Sequence, residues 1–99
     1  MPFLIVATDR PDSMALRQQV RPDHLAHLEA NADKLVLAGA RWSDDGQTCL
    51  GSVLVVDVET REEAEAFAAA DPYATAGLFA HVEVTAYRVA FLDKTNRLA

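Results

Sequence analysis

Cysteine, tryptophan and clustered positive charge are scarce in this chain of 99 residues: one Cys, one Trp, and nine Lys plus Arg against fifteen Asp plus Glu. The lone Cys49 cannot close an internal disulfide. The opening Met1-Pro2-Phe3-Leu4-Ile5-Val6-Ala7 has no cationic stretch ahead of its apolar run, and that run is too short for a signal core or a membrane span. Both features set a cytoplasmic expectation. The cations stand singly between Arg10 and Arg97 in a chain of net charge −6. No basic patch is there to displace the counterions of nucleic acid or to hold an anionic membrane surface, so neither is an expected partner. Also missing are a Gly-rich phosphate loop, a Cys-x-x-Cys pair, a Gly-x-Ser-x-Gly elbow and a His-Glu-x-x-His helix. No cofactor is expected.

Apolar residues are abundant. They make up 51% of the chain, enough to give a single domain over residues 1–99 a core of its own. Pro2 to Thr8 reads as a first strand ended by polar residues. Asp12 or Ser13 caps a helix through Met14–Gln19. Pro22 lacks the amide an interior turn needs and pushes Arg21 away from helical angles. A new helix is therefore expected to start at Pro22, with Arg21 at its cap and Leu25, Leu28, Ala32 and Leu35 as its apolar stripe. Strand two covers Lys34 to Arg41, an Asp45-Gly46 turn follows, and strand three covers Gly51 to Val58. Thr60 and Glu63 form a capping box for a second helix that buries Ala64, Phe67 and Ala68 and stops before Asp71-Pro72. A short helical turn lies within Pro72 to Phe79, and Val82 to Phe91 is the last strand.

This β-α-β-β-α-β order predicts an α+β, ferredoxin-like antiparallel sheet with both helices on one face. A sheet open to water alternates apolar and polar residues, yet Phe3–Ala7 and Val53–Val56 do not. Both faces ask for cover, and the chain has helix for only one. A second copy of the chain is the simplest source of the rest, so a homodimer is expected.

Few residues have the character of a chemical site. His24, placed in the first turn of a helix starting at Pro22, would feel the positive end of the peptide dipoles, which favours a neutral ring able to take a proton. The simpler alternative is a boundary histidine with a hydrogen-bond partner. Asp71 is an expected cap for the turn after it, and a carboxylate there can also accept the N–H of His24 and fix its tautomer. Tyr73 packs, or donates to a substrate oxygen. Ser43 and Trp42 follow strand two near a possible pocket mouth, and Arg10 ends strand one where it could meet an anion. His24 and His27 share a helix face and would need a carboxylate to hold a metal; a solvated His27 is the simpler reading, and no metal is expected.

Arg-x-x-His-Leu at 21 to 25, Leu37-Ala38-Gly39, Gly51-Ser52, and Asp71-Pro72-Tyr73 followed by Ala76-Gly77-Leu78-Phe79 occur in one ordered set. With them the chain resembles the YciI-like (YCII-related domain) family over nearly its whole length. Ala40 departs from the pattern, since many relatives carry Pro there. The resemblance implies a dimeric α+β barrel in which two such sheets pack face to face. It also implies an active site whose His–Asp pair falls on His24 and Asp71, with lyase-, isomerase- or dehydrochlorinase-like chemistry on a small molecule. On that reading His24 moves a proton, Asp71 orients it, and Tyr73, Ser43 and Arg10 contact substrate. The rival reading is a non-catalytic dimer that binds a small metabolite or serves other enzymes, which suits the absence of any second strong acid, nucleophile or cofactor motif.

Overall fold

The computed structural model describes residues 1–98. Its elements are β1 (Phe3–Asp9), α1 (Met14–Ala30), a single 3-10 turn (Ala32–Lys34), β2 (Leu35–Trp42), β3 (Cys49–Val56), α2 (Arg61–Ala70), α3 (Pro72–Thr75), β4 (Phe79–Ala86), and the short strands β5 (Phe91–Leu92) and β6 (Thr95–Asn96). The main sheet runs β2-β3-β1-β4, antiparallel throughout, which is the ferredoxin-like arrangement. The expected α+β architecture is the one observed.

Residues paired across the ladder share a face. Phe3, Ile5 and Ala7 oppose Val56, Leu54 and Ser52 on β3, and Ile5 opposes Val84 on β4. This row meets Leu28 of α1 and Ala64, Phe67 and Ala68 of α2, and together they make the core. Both helices therefore lie on one face. On the other face stand Leu4, Val6, Val53 and Val55, with Leu37 at the edge strand 56% exposed. Thr60 caps α2 as its sequence suggests, its hydroxyl accepting the Glu63 amide at 3.1 Å.

Gly51 shows why a glycine stands in the middle of β3. A Cβ there would sit 1.9 Å from the Ala7 carbonyl oxygen and 3.0 Å from Arg41 Nη2. That guanidinium nitrogen bonds Thr8 Oγ1 at 3.1 Å and the Ala7 carbonyl at 3.4 Å, tying β2 across to β1. Gly51→Ala is expected to force β1 and β3 apart at this point and cost about 1–3 kcal/mol. An unchanged urea midpoint would contradict the close approach.

Two expectations need correction. Pro22 does not separate two helices: α1 is continuous through it, and Arg21 is an interior residue, not a cap. The amide that Pro22 lacks would have bonded the carbonyl of Gln18, and both residues are exposed, so the gap in the ladder falls on the solvent side of the helix. His24 accordingly sits within the helix and not in a first turn, which removes the dipole argument for its protonation state. The last strand is also displaced, to Phe79–Ala86. The Tyr87 amide still donates to the Pro2 carbonyl at 2.9 Å, but Pro2 has no N–H to return and the ladder stops. Beyond it Phe91–Asn96 folds on itself as a hairpin around Asp93 and Lys94, whose φ values of 53° and 64° are those of a tight two-residue turn.

Candidate active site

Three elements bring the site together. Continuity of α1 places Arg17, Arg21, His24 and Leu28 on one helix face, at successive spacings of four, three and four. Of the α1 residues only Arg17 and His24 are buried. From the sheet, Asp9 continues the helix-facing row of β1, and Ser52 opposes Ala7. The third element is the segment from Asp71 to Leu78.

That segment is locked at both ends. Asp71 precedes a proline and is extended, with φ −61° and ψ 129°. Its Oδ1 accepts the Tyr73 amide at 2.9 Å, capping α3. At the far end Gly77 adopts φ 77°, with the Leu78 amide on the Tyr73 carbonyl and the Gly77 amide on the Ala74 carbonyl, each at 3.0 Å. This is the glycine-terminated helix end in which two orphan carbonyls are satisfied. The Leu78 carbonyl in turn accepts the Arg10 amide at 2.8 Å, fixing the segment to the end of β1.

The same Asp71 Oδ1 lies 2.8 Å from His24 Nδ1. A carboxylate only accepts, so Nδ1 carries a proton, and in the neutral ring it is Nε2 that holds the lone pair. Both residues are buried, His24 at 8% exposure and Asp71 at 2%. The imidazole stacks on the Tyr73 ring, centroids 4.0 Å apart and planes 18° apart, and Arg17 Cζ lies 4.4 Å from that ring's centre. Burial pushes the Tyr73 phenol above its ordinary pKa by more than Arg17 and Arg21 pull it down, so it stays a neutral donor at pH 7. A cavity of about 240 Å³ opens beside them, bounded by His24, Tyr73, Arg17, Arg21, Ser52, Leu25, Leu28 and the Ala38–Ala40 stretch of β2.

Arg17 is the buried anchor of this wall. Its Nε donates to Asp9 Oδ2 at 2.7 Å, and its Nη2 donates to Asp9 Oδ1 at 3.1 Å and to Ser52 Oγ at 2.9 Å. Burial pulls the Arg17 pKa down, but the hydrogen bond and charge of Asp9 outweigh it and leave it above the ordinary value.

The fold thus brings together His24, Asp71 and Tyr73 of the residues singled out by sequence. Ser43 lies apart in the β2–β3 hairpin, where its hydroxyl donates to Asp45 at 2.7 Å and accepts the Thr48 amide at 3.0 Å. Arg10 and Arg41 border a separate, larger cavity of about 500 Å³ that contains neither His24 nor Asp71. His27 turns toward Phe67, ring centroids 5.2 Å apart, and its buried Nε2 finds no hydrogen-bond partner among the described residues. Among the described residues no three His, Cys, Asp or Glu side chains gather as metal ligands. Sequence reasoning missed Arg17, Arg21 and Ser52. Arg17, Arg21 and His24 at positions i, i+4 and i+7 were the available signal, hidden by dividing the helix at Pro22.

Comparison with known proteins agrees with this fold. The YCII-related domain pattern matches residues 1–88. The protein YciI of Escherichia coli O6:H1 is 37% identical over 98 residues, covering 92% of this chain and all of its own. An uncharacterized protein of Haemophilus influenzae is 32% identical over the same shares. Among solved structures, the 5-chloro-2-hydroxyhydroquinone dehydrochlorinase TftG from Burkholderia phenoliruptrix AC1100, in complex with 2,5-dihydroxybenzoquinone, is 34% identical. It superposes with a TM-score of 0.81 over 89% of this chain and 94% of its own.

Proposed function

The chain belongs to the YCII-related domain family, and from that membership and the His24 site we propose that it is an enzyme performing general acid–base chemistry of the lyase type on a small oxygen-bearing molecule. The observation that carries this reading is the single buried Asp71 oxygen that holds His24 Nδ1 while the ring borders a cavity. In this reading His24 and Asp71 are the catalytic pair. Nε2 takes a proton from the substrate, and the electron pair left behind moves toward a substrate oxygen or expels a leaving group such as chloride. Asp71 stabilises the imidazolium that forms, and the Tyr73 hydroxyl donates to the oxygen on which negative charge develops. The imidazolium then returns its proton to product or to water. The likeness to a dehydrochlorinase supports a small cyclic substrate.

The test is incubation with 5-chloro-2-hydroxyhydroquinone, following chloride release and uptake of solvent deuterium into the ring. Turnover by the wild type that exceeds the His24→Ala variant supports the proposal. Equal rates overturn it.

A second copy of the chain is the proposed partner, packed on the sheet face opposite the helices. Leu4, Val6 and Val53 are only half-buried in one chain, and Leu37 extends the apolar strip to the edge. Sedimentation at micromolar concentration is expected to find dimers, and Val53→Lys to convert them to monomers; a monomeric wild type refutes the pairing. The proposed setting is the cytoplasm, which the free, buried thiol of Cys49 suits. No helix among the described residues is long and apolar enough to cross a membrane.

A further inference from the structure

Among the described residues, Arg21 is the one cationic side chain on the cavity wall with no partner of its own. Arg17 is neutralised by Asp9, two bonds deep, and Asp71 spends its charge on His24 and the Tyr73 amide. Arg21 makes no ion pair or side-chain hydrogen bond among the described residues. Its helix offers none either: the neighbours three and four positions away are Arg17, Gln18, His24 and Leu25, where an intrahelical pair would need a carboxylate. No Asp or Glu among the described residues lines the cavity. In a chain of net charge −6, an unpaired arginine on the wall of a cavity whose described lining holds no acid does not follow from composition. It follows from position.

Arg21 also stands at a junction. It borders the His24 cavity and an adjoining one of about 350 Å³, lined by Trp42, Gln18 and Met14, which shares Arg17, Arg21 and Ala40 with the first. Along the α1 axis it lies one turn from His24, a rise of about 4.5 Å. Its field reaches the Tyr73 hydroxyl, whose pKa it helps to pull down against burial.

We infer that Arg21 is the specificity-determining residue of the site and that the substrate is a planar anion, its ionised oxygen held by the Arg21 guanidinium while its reacting atom lies against His24. The inference rests on reading the His24 cavity as the substrate site. A guanidinium presents a flat fork of donors that matches a carboxylate, an enolate or a pair of vicinal oxygens, and a charge-assisted bond of this kind discriminates against the uncharged analogue. Arg21 is exposed in the free protein, so holding a ligand there does not require it to break an existing contact. Its substitution leaves the core untouched.

The experiment is calorimetric titration of the wild type, Arg21→Met and Arg21→Lys with two probes: 2,5-dihydroxybenzoquinone, an acidic hydroxyquinone that is ionised at pH 7, and hydroquinone, which is uncharged there. The wild type is expected to bind the anion more tightly than hydroquinone. Arg21→Met is expected to lose roughly tenfold or more of its affinity for the anion and none for hydroquinone, with Arg21→Lys in between. A wild type without preference for the anion, or an Arg21→Met protein that binds it undiminished, overturns the inference. The two proposals fail separately. Loss of anion binding in Arg21→Met leaves Arg21 assigned even where His24-dependent turnover is absent. Chloride release by a protein whose Arg21→Met variant binds the anion normally retains the chemistry and removes Arg21 from it.

Discussion

On the proposed mechanism, His24→Ala is expected to lower turnover by roughly 100-fold to 10,000-fold, the range that a positioned acid–base group supplies, while the protein stays folded. The separation of the two effects follows from how the ring is held. Removing the imidazole deletes the stack on Tyr73 and one hydrogen bond to Asp71, a loss of about 2–4 kcal/mol. It does not orphan the carboxylate, because Asp71 Oδ1 keeps the Tyr73 amide. Asp71→Asn completes the test. The Asn amide oxygen can still accept from the Tyr73 amide and preserve the cap, but it carries no charge to stabilise an imidazolium, so turnover falls while the melting temperature moves little. Steady-state rates and thermal unfolding on the same preparations decide the matter. A variant that retains both rate and fold shows that the pair is a structural contact.

The largest loss of stability is expected from Arg17→Met, at about 3–5 kcal/mol, the cost of breaking a buried pair by removing one partner. Asp9 has only 5% of its side chain exposed and receives two bonds from Arg17, and buried Ser52 receives a third. Without the guanidinium the Asp9 carboxylate is left buried and uncompensated. Asp9→Leu combined with Arg17→Met is expected to recover much of the loss, since an apolar pair of similar volume avoids the desolvation that the charges incur. Urea denaturation of the two single variants and the double variant measures the coupling. A loss below about 1 kcal/mol for Arg17→Met would place the pair with ordinary surface ion pairs.

The sheet, the order of its elements and the helix-bearing face were legible in the sequence because each rests on local signals: the run Phe3–Ala7, the Asp45-Gly46 turn, the Thr60 cap. Asp71-Pro72-Tyr73 was legible for the same reason, since a proline fixes the residue ahead of it and an aspartate there caps the next turn. The other half of the site was not. Local propensity places a break at Pro22, but packing of α1 over the sheet, with Arg17 seated on Asp9 and Ser52 at one end and Leu28 in the core at the other, outweighs one missing hydrogen bond on an exposed side of the helix. Once the helix is divided, Arg17 and Arg21 no longer share a face with His24, and neither can be recognised as part of its surroundings. The partners of Arg17 lie 8 and 35 residues away in sequence, which no local pattern reveals.

The oxygen that holds His24 also begins α3, and this gives the two members of the pair different evolutionary liberties. On the proposed mechanism, a relative without turnover would still need an acceptor at this position to start the turn after the proline, so an aspartate there would persist for architectural reasons. The histidine carries no such obligation and is free to drift. On the proposed mechanism the imidazole is therefore the letter that would separate relatives with turnover from those without, and the carboxylate would be a poor witness.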